Sequence, residues 1–185
     1  MNYAGKLLIA NPKMPKESIF NQSVIYLYQD SNKFGTIGLM LNKPSSFTVK
    51  DICNDKKIQY HSEKELIYHG GPVGPNALVM LHTNEWESLN TSEAFNDLRI
   101  SSDNYMLEKI AQNDQPTHWR LFGGLCGWIP GQLIAEIHSK PPYEKFQSWL
   151  VASATPKLIF ETPIEEQWKE GLLLAGSQMF DQYFL

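Results

Sequence analysis

A glycine-rich segment in the last third of the chain carries the residues best suited to chemistry. It runs Gly-Gly-Leu-Cys-Gly-Trp-Ile-Pro-Gly-Gln over residues 123–132. Pro130 suits the first turn of a helix, so the backbone N–H groups of Gly131 and Gln132 could receive an anion at the helix start. The segment matches neither the Walker phosphate loop nor the Gly-x-Gly-x-x-Gly dinucleotide loop. We therefore interpret its glycines as residues that let a strand turn tightly into a helix beneath Trp128.

Cys126 is the candidate nucleophile of this segment. A thiol near a helix start has a lowered pKa, and His69, His82 or His118 could serve as its base. The nucleophile elbow Gly-x-nucleophile-x-Gly is broken, however, because Trp128 stands where the last glycine belongs. We therefore favour a buried cysteine that acts as a small hydrophobe, and we predict no catalytic residue.

The five histidines form no local metal pattern. None lies three or four residues from another, and there is no Cys-x-x-Cys pair, so we predict no metal site and no cofactor. If residues 66–82 form a hairpin that turns near Gly74, His69 faces Val79 and His82 faces Leu66. The two imidazoles would then not meet across the strands.

A second glycine-rich stretch spans Gly70–Asn76 and is predicted to be a turn between two strands. Loops held on a rigid sheet often carry function, which makes Gly70, Gly71, Pro72 and Val73 candidate contact residues. Ser101-Ser102-Asp103 is interpreted as a helix cap rather than as part of a hydrolase triad, since Ser and Asp satisfy free N–H groups at a helix start.

Composition and charge favour a globular protein of the cell interior. The 185 residues fit one domain over 1–185, with 42% apolar and 19% charged residues. The net charge is −4 and Lys56-Lys57 is the only adjacent basic pair, so we expect no nucleic-acid partner. The apolar run Leu7–Ala10 is too short for a signal peptide, and no run approaches the roughly 20 residues of a membrane span. We therefore expect a cytoplasmic protein without a membrane partner.

Short apolar runs alternate with helical patterns and predict a mixed sheet in an α/β fold. Thr48 and Asp51 form a capping-box pattern for the first helix. The predicted strands are 7–10, 23–29, 36–41, 66–69, 77–82 and 118–123. The predicted helices lie at 48–54, from Ser101 or Ser102 to 111, after Pro130, and from 165 through Ala175.

Four blocks in the same order across nearly the whole chain resemble the YqgE/AlgH family. They are Gly5–Pro12 with Ser23–Leu27, Gly38-Leu39 and Leu41–Pro44; Gly70–Val73 with Leu81-His82; Ser101-Ser102 with Leu107 and Ile110-Ala111; and Gly123, Gly127-Trp128, Pro130–Leu133, Glu136-Ile137 and Trp149-Leu150.

The resemblance implies a mixed, forked β-sheet that curls into a pseudo-barrel and is flanked by helices. The family's molecular function is not established, and some members carry a label of transcriptional regulation without a DNA-binding motif. Three departures stand out. Tyr28-Gln29-Asp30 replaces the family's Cys-Glu-His-like stretch, Cys126 replaces a small residue, and Ile134 replaces a glutamate. No redox or metal role is therefore carried over from that stretch.

Three functional hypotheses follow from these observations. We prefer a non-enzymatic regulatory or partner-binding protein with an unknown protein partner. The alternatives are a small-ligand binder or enzyme with a pocket at the Gly123–Gln132 turn, lined by Cys126, Gln132 and Glu136, and a DNA-binding regulator. The candidate binding residues are Gly70, Gly71, Pro72, Val73, His82, Cys126, Gly127, Trp128, Pro130, Gly131, Gln132 and Glu136.

Overall fold

The computed structural model describes residues 2–143 and 148–184. The strands in this part of the chain are β1 Lys6–Ala10, β2 Val24–Ser31, β3 Gly35–Met40, β4 Pro44–Thr48, β5 Leu66–His69, β6 Val73–Thr83, β7 Thr91–Glu93, β8 Leu98–Ser101, β9 Trp119–Trp128 and β10 Trp149–Ser153. The helices are α1 Val49–Asp55, α2 Tyr105–Ala111, α3 Gln132–Ile137 and α4 Ile164–Phe184, with a π-helical turn at Lys157–Glu161. None of the helices in the described ranges combines the length and apolar character needed to cross a membrane.

The sheet is mixed and forked, as the resemblance implied. Its main path runs β10-β1-β2-β3-β9-β6-β8-β7, and β5 and β4 branch off β9. The branch arises because β9 changes neighbour along one edge. Its first half pairs in parallel with β5 and its last residues pair antiparallel with β3, while β6 occupies the other edge. We call this branch point the fork.

The sheet curls into a half-barrel because its distant strands are joined by hydrogen bonds. The Tyr26 hydroxyl donates to the carbonyl of Phe95 at 2.7 Å, and the Asn96 amide donates to the carbonyl of Gly5 at 3.1 Å. These bonds tie the loop between β7 and β8 to β1 and β2. The predicted fold class is confirmed.

Apolar side chains cover both faces of the sheet. In β1, Leu7 and Ile9 point into the interior of the half-barrel, whereas Leu8 and Ala10 face an outer cluster. This alternation follows from the two-residue period of a strand. Helix α4 and the π-helical turn close the interior, α3 covers the outer cluster, and α1 and α2 cover a third cluster.

Several local predictions are wrong, and each error concerns residues whose partners lie far away in the chain. Residues 66–82 are not a hairpin, because β5 and β6 both pair with β9 and not with each other. Residues 73–76 are the start of β6 rather than a turn, with a register shift between Val73 and Leu78. Ser101 ends β8 instead of capping α2, and Asp103 accepts a hydrogen bond from the Met106 N–H there at 3.0 Å.

The capping box of α1 is confirmed. The Thr48 side chain accepts from the Asp51 backbone N–H, and the Asp51 carboxylate accepts from the Thr48 backbone N–H at 2.7 Å. Both partners lie within four residues, so the local sequence contains all the information that this helix start needs.

Candidate functional site

The two glycine-rich segments pack against each other at the fork. A Cβ on Gly70 would overlap the carbonyl oxygen of Gly124, and a Cβ on Gly71 would overlap the carbonyl of Leu125. Gly124 itself has φ +74 and would place a Cβ 2.5 Å from the Gly71 oxygen. The glycines are therefore required by the close approach of two backbones. Residues 123–128 belong to β9, and only 129–131 form the turn into α3.

Cys126 is a packed thiol. It is 1% exposed and donates to the carbonyl oxygen of Gly70 at 3.3 Å. Burial raises the pKa of this thiol to about 12, so the thiolate that nucleophilic chemistry needs is strongly disfavoured. Its side chain belongs to the outer cluster, whereas the neighbouring Leu125 packs toward the interior cluster.

His82 is also fully buried and hydrogen bonded. Its Nδ1 lies 2.9 Å from the carbonyl oxygen of Thr83, and its Nε2 lies 2.9 Å from the hydroxyl of Ser101. Because a carbonyl only accepts, Nδ1 carries the proton and Nε2 accepts from Ser101. Burial lowers the pKa of His82, which favours this neutral ring. The imidazole packs edge-on against Trp86 and contributes to the structure.

The end of β9 is held by hydrogen bonds to Glu136. Its Oε2 accepts from the indole N–H of Trp128 at 3.0 Å and from that of Trp149 at 2.7 Å. Its Oε1 accepts from the Gln132 amide at 2.9 Å, and Gln132 in turn accepts from the Ile129 backbone N–H at 3.1 Å. We call Trp128, Gln132, Glu136 and Trp149 the indole cluster. The cluster links α3 to the end of β9 and the start of β10.

A concave surface lies at the fork, on the side of β9 opposite Cys126. It is a cleft of about 990 Å³, bounded by β4, α1, the start of β6 and the residues that precede α2. We call it the fork cleft. Its apolar lining comes from Tyr28, Phe47, Ile52, Ile67, Tyr68, Leu78, Val79, Ile100 and Leu125, and its polar lining from Ser45, Asp55, Lys56, His69, Asn76, Ser102, Asp103 and Asn104.

The structure brings few of the predicted binding residues to this cleft. Gly71 lines it, and Gly123 and Leu125 contribute from the other glycine-rich segment. Pro72 and Val73 are exposed beside it, and Gly70 lies beneath them.

The remaining candidates lie away from the fork cleft. Cys126, Gln132 and Glu136, predicted to line a pocket at the Gly123–Gln132 turn, do not line this cleft: the thiol is packed in the outer cluster, and the other two side chains belong to the indole cluster. His82 is enclosed, while Gly127, Pro130 and Gly131 are exposed around the turn into α3. Whether those exposed residues bind anything stays a prediction.

Sequence reasoning missed the aromatic walls of the cleft. Tyr28 was noted only as a departure from the family pattern, and Tyr68 only as a strand residue. Phe47 gave the one usable signal, because a large aromatic stands alone in the polar stretch Ser45-Ser46-Phe47-Thr48. It is 57% exposed, although burial of an aromatic ring stabilises a protein.

The rim of the cleft joins two helices through one hydrogen bond. The Lys56 ammonium, at the end of α1, donates to the Asn104 amide oxygen, just before α2, at 2.8 Å.

Within residues 2–143 and 148–184, no group of three or more His, Cys, Asp and Glu side chains is arranged to hold a metal ion. The geometry of the cleft therefore fits recognition of a largely apolar chain or molecule with polar contacts at its ends.

Known proteins place this fold in one family. The AlgH-like family model DUF179 matches residues 7–180. A UPF0301 protein of Vibrio atlanticus is 30% identical over 95% of this chain and 93% of its own length, and one of Methylococcus capsulatus is 33% identical over 94% and 91%. The solution structure of AlgH from Pseudomonas aeruginosa superposes with a TM-score of 0.78 at 28% identity, covering 95% of this chain and 90% of that one.

A crystal structure from Corynebacterium diphtheriae, at 24% identity and a TM-score of 0.70, shares the fold over 92% of this chain and 85% of that one. The match of the family model covers almost the whole chain, and the relatives align over nearly their full length. The chain belongs to the AlgH-like (DUF179, UPF0301) family.

Proposed function

We propose that this protein is a non-enzymatic binding protein that holds an extended, apolar segment of a partner protein in the fork cleft. The observation that carries the proposal is the cleft itself, about 990 Å³ in volume and walled by aromatic side chains. Phe47, in one wall of the cleft, is 57% exposed, and Val73, beside the opposite wall, is 49% exposed. Apolar side chains left exposed around one concavity are typical of a surface that a partner covers.

A protein segment fits the cleft better than a compact molecule does. Strand β4, which contributes Ser45 and Phe47 to the lining, pairs with β5 alone among the described strands. An unpaired strand edge can hydrogen bond to an added strand, and alternate side chains of that strand can then fill a neighbouring groove. We therefore expect backbone pairing at β4 and an apolar side chain between Phe47 and Tyr28.

The test uses a variant that fills the cleft without disturbing the core. Ala77 is exposed and lines the cleft, so Ala77→Trp occupies the space where the partner segment would lie. Peptides are first selected on the native protein from a displayed random library, and their Kd is measured by fluorescence anisotropy. We expect Ala77→Trp to weaken binding at least tenfold and Phe47→Ala to weaken it several-fold.

The matched control is Ser92→Trp, which adds the same indole to an exposed residue of β7 outside the cleft. It should bind the peptides like the native protein, and circular dichroism should show that both tryptophan variants are folded. Equal affinity of the native protein and Ala77→Trp would remove the fork cleft as the site.

A small apolar ligand in the same cleft is the second candidate, because about 990 Å³ lies at the upper end of small-molecule pockets. A fluorine-detected fragment screen separates the two candidates. This candidate would be favoured over the first if fragments bind the native protein tightly but do not bind Ala77→Trp, and if the displayed library yields no binding peptide.

We further propose that any regulatory action works through a protein partner in the cytoplasm rather than through DNA. Two observations support this: the net charge is −4, and both cysteines, Cys53 and Cys126, are free and buried, as expected in a reducing compartment. A mobility-shift assay at low salt checks the DNA part. Binding that weakens steeply as salt is added would contradict the proposal.

A further inference from the structure

A second, smaller cleft lies beside the first residues of β9 and contains a buried arginine. Its volume is about 380 Å³, and Lys64, Tyr68, His118, Arg120 and Phe160 contribute to its lining. We call it the arginine cleft. It shares Tyr68 with the fork cleft, but the two clefts otherwise have different linings.

The guanidinium of Arg120 has no anionic partner in the described chain. The residue is 9% exposed, donates from Nη1 to the carbonyl of Leu41 at 3.2 Å, and lies 5.2 Å from the ring centre of Tyr68. None of the ion pairs among residues 2–143 and 148–184 involves Arg120. A guanidinium carries five N–H donors and stays charged in proteins. A buried charge of this kind is normally matched by a counter-charge or by a full set of hydrogen bonds.

The charged groups of the arginine cleft give it an excess of positive charge. Arg120 and Lys64, which is exposed at the mouth, carry two positive charges, and Glu65 contributes the single carboxylate of the lining. That carboxylate raises the pKa of Tyr60, after the larger effect of burial, and its Oε2 is buried without a hydrogen-bond partner. Because Glu65 stands nearby, a ligand of one negative charge fits better than a multiply charged one.

The walls of the arginine cleft are flat rings. His118 and Phe160 stack with their centres 5.6 Å apart and their planes 23° apart, and Tyr68 lies under the guanidinium. A guanidinium can bind a carboxylate or a phosphate through two parallel hydrogen bonds, and the flat rings around Arg120 favour a ligand that is itself flat. We propose that the arginine cleft binds a small aromatic monocarboxylate, with its carboxylate on Arg120 and its ring beside Tyr68 and the His118–Phe160 pair.

The experiment follows the Arg120 Nε–Hε signal in ¹⁵N-correlated NMR spectra of the full chain. Sodium benzoate is titrated at constant ionic strength, in parallel with benzamide, inorganic phosphate and sodium chloride. We expect a saturable shift with benzoate and a Kd on the order of 1 mM. Benzamide has the same ring without the charge, and phosphate has charge without the planar group, so each should bind at least tenfold more weakly.

Two variants locate the binding, and a third serves as their control. Lys64→Gln removes a charge at the mouth and should weaken benzoate binding two- to fivefold, whereas Lys33→Gln, on the loop between β2 and β3, should leave it unchanged. Arg120→Lys should abolish the saturable shift of the neighbouring Tyr68 and Phe160 signals. If Arg120→Lys does not fold, the benzoate affinities of Lys64→Gln and Lys33→Gln decide whether benzoate binds in this cleft, and equal affinities would show that it does not.

Three results would overturn the proposal. They are a shift of equal size with sodium chloride, equal binding of benzoate and benzamide, and phosphate binding at least as tight as benzoate. Ala77 does not line the arginine cleft, so Ala77→Trp should bind benzoate normally even though it no longer binds peptides. That result would show that the two clefts bind independently and that either proposal can fail without the other.

Discussion

Replacement of Glu136 tests whether the indole cluster is structural. Glu136→Ala leaves the N–H groups of Trp128 and Trp149 without their acceptor, and both indoles are buried. Hydrogen bonds to a charged group contribute about 1.5–3 kcal/mol each. The carboxylate is only half buried, so water can replace part of the hydrogen bonding that the two indoles lose in the variant. We therefore expect the free energy of unfolding to fall by about 2–4 kcal/mol. With a slope of about 2 kcal/mol per molar urea, the midpoint should fall by about 1–2 M.

Glu136→Gln should cost less, about 1 kcal/mol. Its amide oxygen can still accept from both indoles, which share one carboxylate oxygen in the native protein. Its amide N–H₂ would face the Gln132 amide, so that single hydrogen bond is lost.

The measurement is urea unfolding followed by far-ultraviolet circular dichroism, because indole fluorescence would itself change. Glu170→Ala, on an exposed face of α4, is the matched control and should change stability by no more than about 0.5 kcal/mol. A double-mutant cycle with Trp149→Phe, which removes the N–H and keeps a ring, should give a coupling of about 1–2 kcal/mol. If Glu136→Ala costs no more than Glu170→Ala, the cluster is not structural, and Glu136 returns as a candidate for ligand contact.

Three further predictions concern buried groups and glycines. Gly124→Ala should lower the melting temperature sharply, since φ is +74 and the Gly71 carbonyl oxygen would lie 2.5 Å from the new Cβ. Gly176→Ala is the matched comparison: it lies within α4 with open space around the new Cβ, and it should raise the free energy of unfolding by about 0.5–1 kcal/mol. Cys53 and Cys126 should not react with Ellman's reagent at pH 8 until urea is added, because burial raises the pKa of both thiols; reaction of the native protein at the rate of free cysteine would contradict this. His82 has a lowered pKa when folded, so the unfolded chain takes up the proton first and stability falls as the pH drops below about 6.5. His82→Gln should lose less stability between pH 7 and pH 5 than the native protein, and an equal loss would show that other groups cause it.

Elements whose pattern is local were predictable from the sequence. The apolar run Val24–Leu27 indicated a strand, and its residues do alternate between the interior cluster and the outer cluster. The Thr48 capping box likewise needs only its neighbours. Pairing was not predictable, because proximity in the sequence favoured a hairpin between β5 and β6, whereas both strands pair with β9, with 37 to 54 residues between paired positions.

The glycines at 123 and 124 show why the turn into α3 was predicted too early in the chain. Glycine is depleted in strands, so two adjacent glycines favoured a turn. Gly124 is required because its φ is +74 and a Cβ there would lie 2.5 Å from the Gly71 oxygen, and a Cβ on Gly123 would lie 3.2 Å from the Pro75 oxygen. Similarly, nothing in the local pattern around Arg120 indicated that its guanidinium is buried, since burial there depends on Leu41 and Tyr68 from other strands.

The fork also determines when during synthesis the sheet can form. Strand β9 borders β3, β5 and β6, all of which leave the ribosome before it, and β10 must then pair with β1 at the opposite end of the path. Until residue 128 has emerged, the nascent chain holds partial sheets whose central edges are open and apolar. Such edges are prone to pair with other chains, and pairing across long sequence separations is slow. We therefore expect the nascent protein to be most prone to aggregation before β9 emerges, and to complete its sheet only when β10 pairs with β1.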